Sequence, residues 1–158
     1  MRVLISIICS FTLYFLLVTP VSAQDTNLTA VKQAFDAAGL LHDVPLGFDP
    51  TVLLGVTYFS PEARPKTLYS GIQMAMKETY PMPIFSVVGN PGLGPLVLAM
   101  IDPDASSRPT PNIAEIRHFL QGGYAFDPIS GLLNALPSVS GMPPYHYPRP
   151  SVGSGLHR

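Results

Sequence analysis

The stretch LVLAMIDPDASSR, residues 96–108, decides how this chain reads. Its first half, Leu96–Ile101, is continuous apolar sequence and suits a strand buried on both faces. Its second half sets two carboxylates, Asp102 and Asp104, either side of Pro103. A strand end that runs into a loop is a common place for a site. Asp and Pro also favour turns, and the segment taken alone reads first as a turn.

Working outward, Val52–Phe59 (VLLGVTYF) is rich in strand formers, and Thr67–Met76 mixes apolar and polar residues in a strand-like way. Ile84–Val88 is a short β-rich run, and Ile116–Tyr124 forms a further strand. Pro, Gly, Asn and Asp fill the connections. Upstream, Leu28, Val31, Phe35 and Ala38 recur at helical spacing, and Gly39 closes a helix expected over Thr29–Ala38. The pattern predicts a mostly β, antiparallel domain with one early helix. After Asp127 turn formers dominate. Leu132–Leu136 has the length of one helical turn, and a Pro-stiffened loop follows.

The first 23 residues read as a leader. Arg2 precedes an apolar run over Val3–Val18, and Val21-Ser22-Ala23 offers a cleavage site. That run is short for a bilayer span, which needs about 20 apolar residues. The expectation is a signal peptide over 1–23, no transmembrane anchor after cleavage, a secreted product and one domain over 24–158. Cys9 is the only cysteine and leaves with the leader, so thiol and disulfide chemistry leave too. Nine Lys and Arg face ten Asp and Glu. This balance supplies no basic field for nucleic acid. Asn27-Leu28-Thr29 is an N-glycosylation sequon.

Chemistry-bearing residues gather in two further segments. In IRHFL, residues 116–120, strand alternation sends Arg117 with Phe119 to one face and His118 with Ile116 and Leu120 to the other. A histidine among apolar neighbours needs a partner, and a carboxylate on the next strand is the obvious one. The end of the chain brings Tyr145, His146, Tyr147, Arg149, His157 and Arg158. Hydroxyls, glycine amides and histidines together suit an oxyanion such as phosphate. A nucleophilic reading takes Ser154 or Ser107 with His157 or His118 as base and Asp102 as orienter. The G-x-S-x-G elbow is missing, which weighs against it. Asp102, His118 and His157 also have the chemistry to hold zinc, without a compact ligand motif. The residues call for no cofactor.

DPDASSR, RHFL and YHYPRPSVGSGLHR occur in the order and rough spacing of three motifs of the phosphatidylethanolamine-binding protein family. Those motifs read approximately D-P-D-A-P-S-R, H-[WF]-L and G-P-x-P-P-x-G-[ST]-G-x-H-R-[YF]. The earlier AFDAAGLLHDVPLGFDPTVLLGVTYF resembles the start of the family's fungal members. The resemblance covers about Thr29–Arg158. It implies a large central antiparallel sheet and a small pocket for phosphate-like anions. By the same resemblance Asp102, Asp104, His118 and His157 fall on pocket positions, and Tyr145, Pro148 and Pro150 on the framing loop. The implied function is non-enzymatic binding of an anionic head group or of a protein partner such as a serine carboxypeptidase.

Three departures stand out. Ser106 replaces the usual proline, Tyr147 replaces the glycine before Pro-x-Pro, and the chain stops where family members continue into an aromatic residue and a further strand. The competing expectation is therefore a truncated or mispredicted fragment without independent function, its C-terminal strand and segment missing.

Overall fold

The computed structural model of the chain describes residues 24–43, 47–61, 64–112, 115–137, 141 and 144–158. The leader over 1–23, with Cys9, lies outside the described residues. Helix α1 spans Leu28–Ala37, within one residue of the helix that the apolar spacing predicts. Its start is fixed by Asn27, whose Oδ1 accepts the Ala30 N–H at 2.7 Å. This is an ordinary N-cap. A short second helix, α2, follows over Leu40–Asp43.

Among the described residues six strands follow: β1 (Leu53–Tyr58), β2 (Lys66–Thr67), β3 (Ile84–Val88), β4 (Leu96–Asp102), β5 (Ile116–Phe126) and β6 (Leu133–Ala135). They form two antiparallel three-stranded sheets, ordered β2-β1-β3 and β4-β5-β6. The described strands thus build two small sheets where the family resemblance implies one large one. The two meet where Ser86 on β3 bridges Leu132, and where Val87 N–H donates to Gly131 O at 2.8 Å. Gly55 permits close pairing of β1 with β3, because any side chain there would collide with Ser86 Oγ.

The core draws on both sheets. Phe85 and Val87 of β3 pack with Leu98, Phe119, Tyr124 and Leu133 of the second sheet. The Phe85 ring lies 6.3 Å from Phe119, nearly parallel, and 6.4 Å from Tyr124, edge-on. Both separations are within the range of favourable aromatic contact. The opposite face of the β4–β5 pair is open: Val97, Ile101 and Leu120 are exposed.

Three expectations are corrected. Strand β4 is buried on one face only. The segment after Thr67 leaves the sheet, because Ser70 N–H and Oγ both donate to Asp25 Oδ2, at 2.8 and 2.7 Å, and Gly71 turns with φ +87°. A 3-10 turn then covers Met76–Thr79. The helical turn expected over Leu132–Leu136 is strand β6. Asp127 accepts from Ile129 N–H and Ser130 Oγ, Gly131 reverses the chain at φ +73°, and Leu133–Ala135 pairs back onto Phe126–Tyr124. Turn chemistry there overrides helix propensity.

Candidate functional site

The last residue of β4 is Asp102, and its carboxylate is fixed from two sides. Oδ1 accepts the Asp104 N–H at 2.8 Å, the local bond that Asp favours in turns. Oδ2 lies 2.7 Å from His157 Nδ1. Both side chains are about nine-tenths buried. A carboxylate oxygen accepts, so Nδ1 carries the hydrogen. The opposite ring nitrogen, Nε2, is 2.9 Å from Ser154 Oγ. Ser154 Oγ also stands 2.7 Å from Ser151 O. The hydroxyl has one hydrogen to give. If it goes to Ser151, His157 Nε2 must donate and the ring is an imidazolium. If it goes to Nε2, the ring is neutral.

His118 reaches the same carboxylate by a route that simple alternation misses. Met100 pairs with Phe119 and Ile101 with Arg117, so His118 is the extra residue of a β-bulge. A bulge re-aims a side chain. Here His118 and Phe119 are both buried although they are sequence neighbours. His118 Nδ1 is 2.9 Å from His146 O, and His146 N–H donates to His118 O at the same distance. A carbonyl only accepts, so Nδ1 holds the hydrogen. Nε2 is buried without a hydrogen-bond partner and lies 3.9 Å from Asp102 Oδ2. A bare lone pair facing a carboxylate is unfavourable. The nitrogen is best served by a proton and an acceptor.

Asp104 is fully buried and committed elsewhere. Arg158 grips it with its backbone N–H (2.8 Å to Oδ2), Nε (2.9 Å to Oδ2) and Nη2 (2.6 Å to Oδ1). This is the forked geometry that makes Arg–carboxylate pairs strong. The Arg158 hydrogen bonds hold the Asp104 carboxyl below the usual carboxylate range despite its burial. Nη2 also lies 2.7 Å from Asp43 Oδ2, an ion-pair contact by distance rather than by hydrogen-bond angle. Nη1 donates to Ala38 O, the C-cap carbonyl of α1, and Arg108 Nη2 donates to the same oxygen at 2.8 Å. Two guanidiniums thus satisfy an orphan carbonyl at a helix C-terminus. Gly39 lets Arg158 approach: it turns at φ +74°, and a Cβ there would stand 3.3 Å from Nη1.

Around the other side of His118 opens a cleft of about 360 Å³ lined by Ile116, His118, Tyr145, His146, Tyr147 and Arg149. Tyr145 O–H donates to Thr79 O at 2.7 Å, which leaves its oxygen to accept from Tyr58 O–H at 3.2 Å. Burial first, and the Tyr58 hydroxyl second, push the Tyr145 phenol upward. The Arg149 guanidinium sits 5.9 Å over the Tyr147 ring. A larger hollow of about 770 Å³, between Gly89–Pro95 and Ala125–Leu136, is lined by no titratable side chain among the described residues.

The structure therefore brings Asp102, His118 and His157 together, with Asp104 next door as the anchor for Arg158. Tyr145 frames the neighbouring cleft. Pro148 and Pro150 flank Arg149 without lining the cleft themselves. Ser107 Oγ bonds Thr110 Oγ1 at 2.8 Å rather than either histidine. Ser106, at the departure from the usual proline, bonds Asn112 Oδ1 at 2.7 Å. No group of three or more metal-ligating residues forms a metal site among the described residues. Asn27 is exposed, and its Oδ1 is used as the helix cap. Among the described residues no helix is long and apolar enough to cross a membrane. The sequence puts Arg158 among the residues suited to an oxyanion, whereas the structure spends it on Asp104, Asp43 and Ala38. Its partners, Asp104, Asp43 and Ala38, are far away along the chain, and no local signal marks them. No family model matches the chain, and no curated protein aligns with it significantly.

Proposed function

We propose that this protein is a secreted, non-enzymatic binding protein of the phosphatidylethanolamine-binding type. Its ligand is a small oxyanion, phosphate or a phospholipid head group, held at the end of β4. The observation that carries this reading is His118 Nε2: buried, unpartnered and beside a second histidine on the same carboxylate. An imidazolium N–H with no acceptor in a dry setting is a ready donor to an anionic oxygen. His157 Nε2 becomes a second donor when Ser154 gives its hydrogen to Ser151.

Charge counting supports an anion rather than a cation only when both rings are protonated. Asp43, Asp102 and Asp104 then face Arg158, His118 and His157, and Arg108, which shares the Ala38 carbonyl with Arg158, leaves the cluster with one positive charge in excess. Arg149 on the adjoining cleft adds a cation. The ligand so bound would place its oxyanion at the histidines and any organic substituent in the 360 Å³ cleft beside Tyr145 and Tyr147. Action on a serine carboxypeptidase is the protein-level form of this proposal and rests on the motif resemblance alone.

Calorimetric titration of the purified protein with inorganic phosphate and with phosphoethanolamine tests it. Saturable binding that His118→Phe weakens at least about tenfold, which is about 1.4 kcal/mol, is the expected result. Equal heats for wild type and variant would exclude the site.

A further inference from the structure

Asp102, His157 and Ser154 form a hydrogen-bonded relay: 2.7 Å from Asp102 Oδ2 to His157 Nδ1, then 2.9 Å from His157 Nε2 to Ser154 Oγ. The anion reading uses this relay in one state, with His157 donating. The same three groups have a second state. The Ser154 hydroxyl has a choice between Ser151 O and His157 Nε2, and a turn of one torsion passes its hydrogen from the first to the second. The ring is then neutral, with Nδ1–H held on a buried carboxylate and Nε2 accepting from a hydroxyl. That is the arrangement by which a base, oriented by a third group, activates a serine nucleophile.

Two further observations bear on reactivity. Ser154 is only half-buried, and the glycines on either side, Gly153 and Gly155, are exposed and have open space where a Cβ would stand. An electrophile can therefore reach Oγ. The backbone N–H groups of Gly155 and Leu156 have no acceptor among the described residues. The residue after a nucleophile is the usual donor to an oxyanion at the reacting carbon.

We propose that Ser154 is a nucleophile, acylated by activated esters with His157 as base and Asp102 as the group that orients it. In the step, Ser154 Oγ bonds to the acyl carbon and its proton passes to His157 Nε2. The bond from that carbon to the leaving oxygen breaks, and His157 returns the proton to the departing group. One acyl-serine and one alcohol or phenol result. This goes beyond the binding reading: it requires reaction at one serine, and it does not require that anions bind.

The test is incubation of the purified protein with p-nitrophenyl acetate, followed by release of p-nitrophenol and peptide mapping by mass spectrometry. The expected result is one acetyl group on the peptide holding Ser154, absent in Ser154→Ala, and formed at least about tenfold more slowly in His157→Gln. When the reaction is run in concentrated urea the native sequence should fail to acquire the label, since the relay needs the fold. Acetyl groups confined to Lys32, Lys66 and Lys77, or no acetylation, would overturn the proposal. So would Ser154 labelling that proceeds at the same rate when the reaction is run in urea. Phosphate binding is followed in the same sample at His118, which Ser154 does not touch. Acylation without any phosphate response would leave the nucleophile standing and remove the anion reading, and the reverse outcome would do the opposite.

Discussion

His157 Nδ1 stands 2.7 Å from Asp102 Oδ2, joining the penultimate residue of the chain to the last residue of β4. The bond fixes which edge of the imidazole faces outward. Asp102→Asn keeps the size of the side chain and an acceptor for the Asp104 N–H, but it removes the charge beside both histidines. Phosphate affinity should fall about tenfold or more, about 1.4 kcal/mol, and the melting temperature should fall as well, because the Asn NH2 would meet the His157 Nδ1–H in place of an acceptor. Parallel calorimetric and thermal measurements on this variant separate the two effects.

Arg158 and Asp104 supply a different kind of link. Breaking a buried, forked ion pair from one side leaves a buried charge without its partner. Asp104→Asn or Arg158→Ala should therefore cost about 3 kcal/mol of folding stability. Equilibrium urea unfolding would show this as a lower midpoint with an unchanged slope.

The same pair sets an acid limb. The hydrogen bonds from Arg158 lower the Asp104 carboxyl below its ordinary value of 3.8. A lowered folded value means that the contribution is fully present above the unfolded carboxylate range. It is lost as pH falls through the lowered one. The urea midpoint should drop steeply below about pH 4, and Asp104→Asn should flatten that limb. A midpoint with the same acid slope in both proteins would contradict the assignment.

At the alkaline end the sign is opposite. Burial raises the Tyr145 phenol above its ordinary range, with Tyr58 adding to it. A raised folded value stabilises below the unfolded tyrosine range and is lost as pH rises beyond it. Spectrophotometric titration should find Tyr145 protonated well past the ordinary tyrosine range of about 10. Tyr145→Phe strands the carbonyl of Thr79 and the hydroxyl of Tyr58, and should cost about 1–2 kcal/mol.

The core offers a paired prediction. Phe119 is 2% exposed and bridges both sheets through Phe85, so Phe119→Ala should cost about 3–5 kcal/mol. Its near neighbour Gln121 is also buried, yet neither amide atom has a partner. Gln121→Met removes an unsatisfied group at similar size and should raise stability by about 1 kcal/mol. Thermal melts of both variants check the pair.

Much of this architecture is legible in the residues. The strand over Ile84–Val88, the early helix and the strand that ends at Asp102 all appear where apolar spacing puts them. The meeting of Asp102, His118 and His157 follows the order of their motifs. What stays hidden is non-local. His118 faces the core beside Phe119 because β5 carries one more residue than β4 at that point, and a bulge leaves no mark in a run such as IRHFL. Leu133–Ala135 becomes a strand because Asp127 and Gly131 reverse the chain onto β5. Arg158 finds Asp43 and Ala38 only after α1 and α2 fold beside the β4 loop. Alternation, propensity and spacing are local rules, and these three features are decided by tertiary contact.

The central claim is that the buried, unpartnered Nε2 of His118 is a donor awaiting an anionic oxygen. Nitrogen-edited NMR of the histidine rings during titration with inorganic phosphate tests it most directly. The account predicts a saturable shift of the His118 Nε2 resonance, joined by His157 and not by the exposed His42. Histidine spectra that stay unchanged through millimolar phosphate, or that move only at His42, would contradict it.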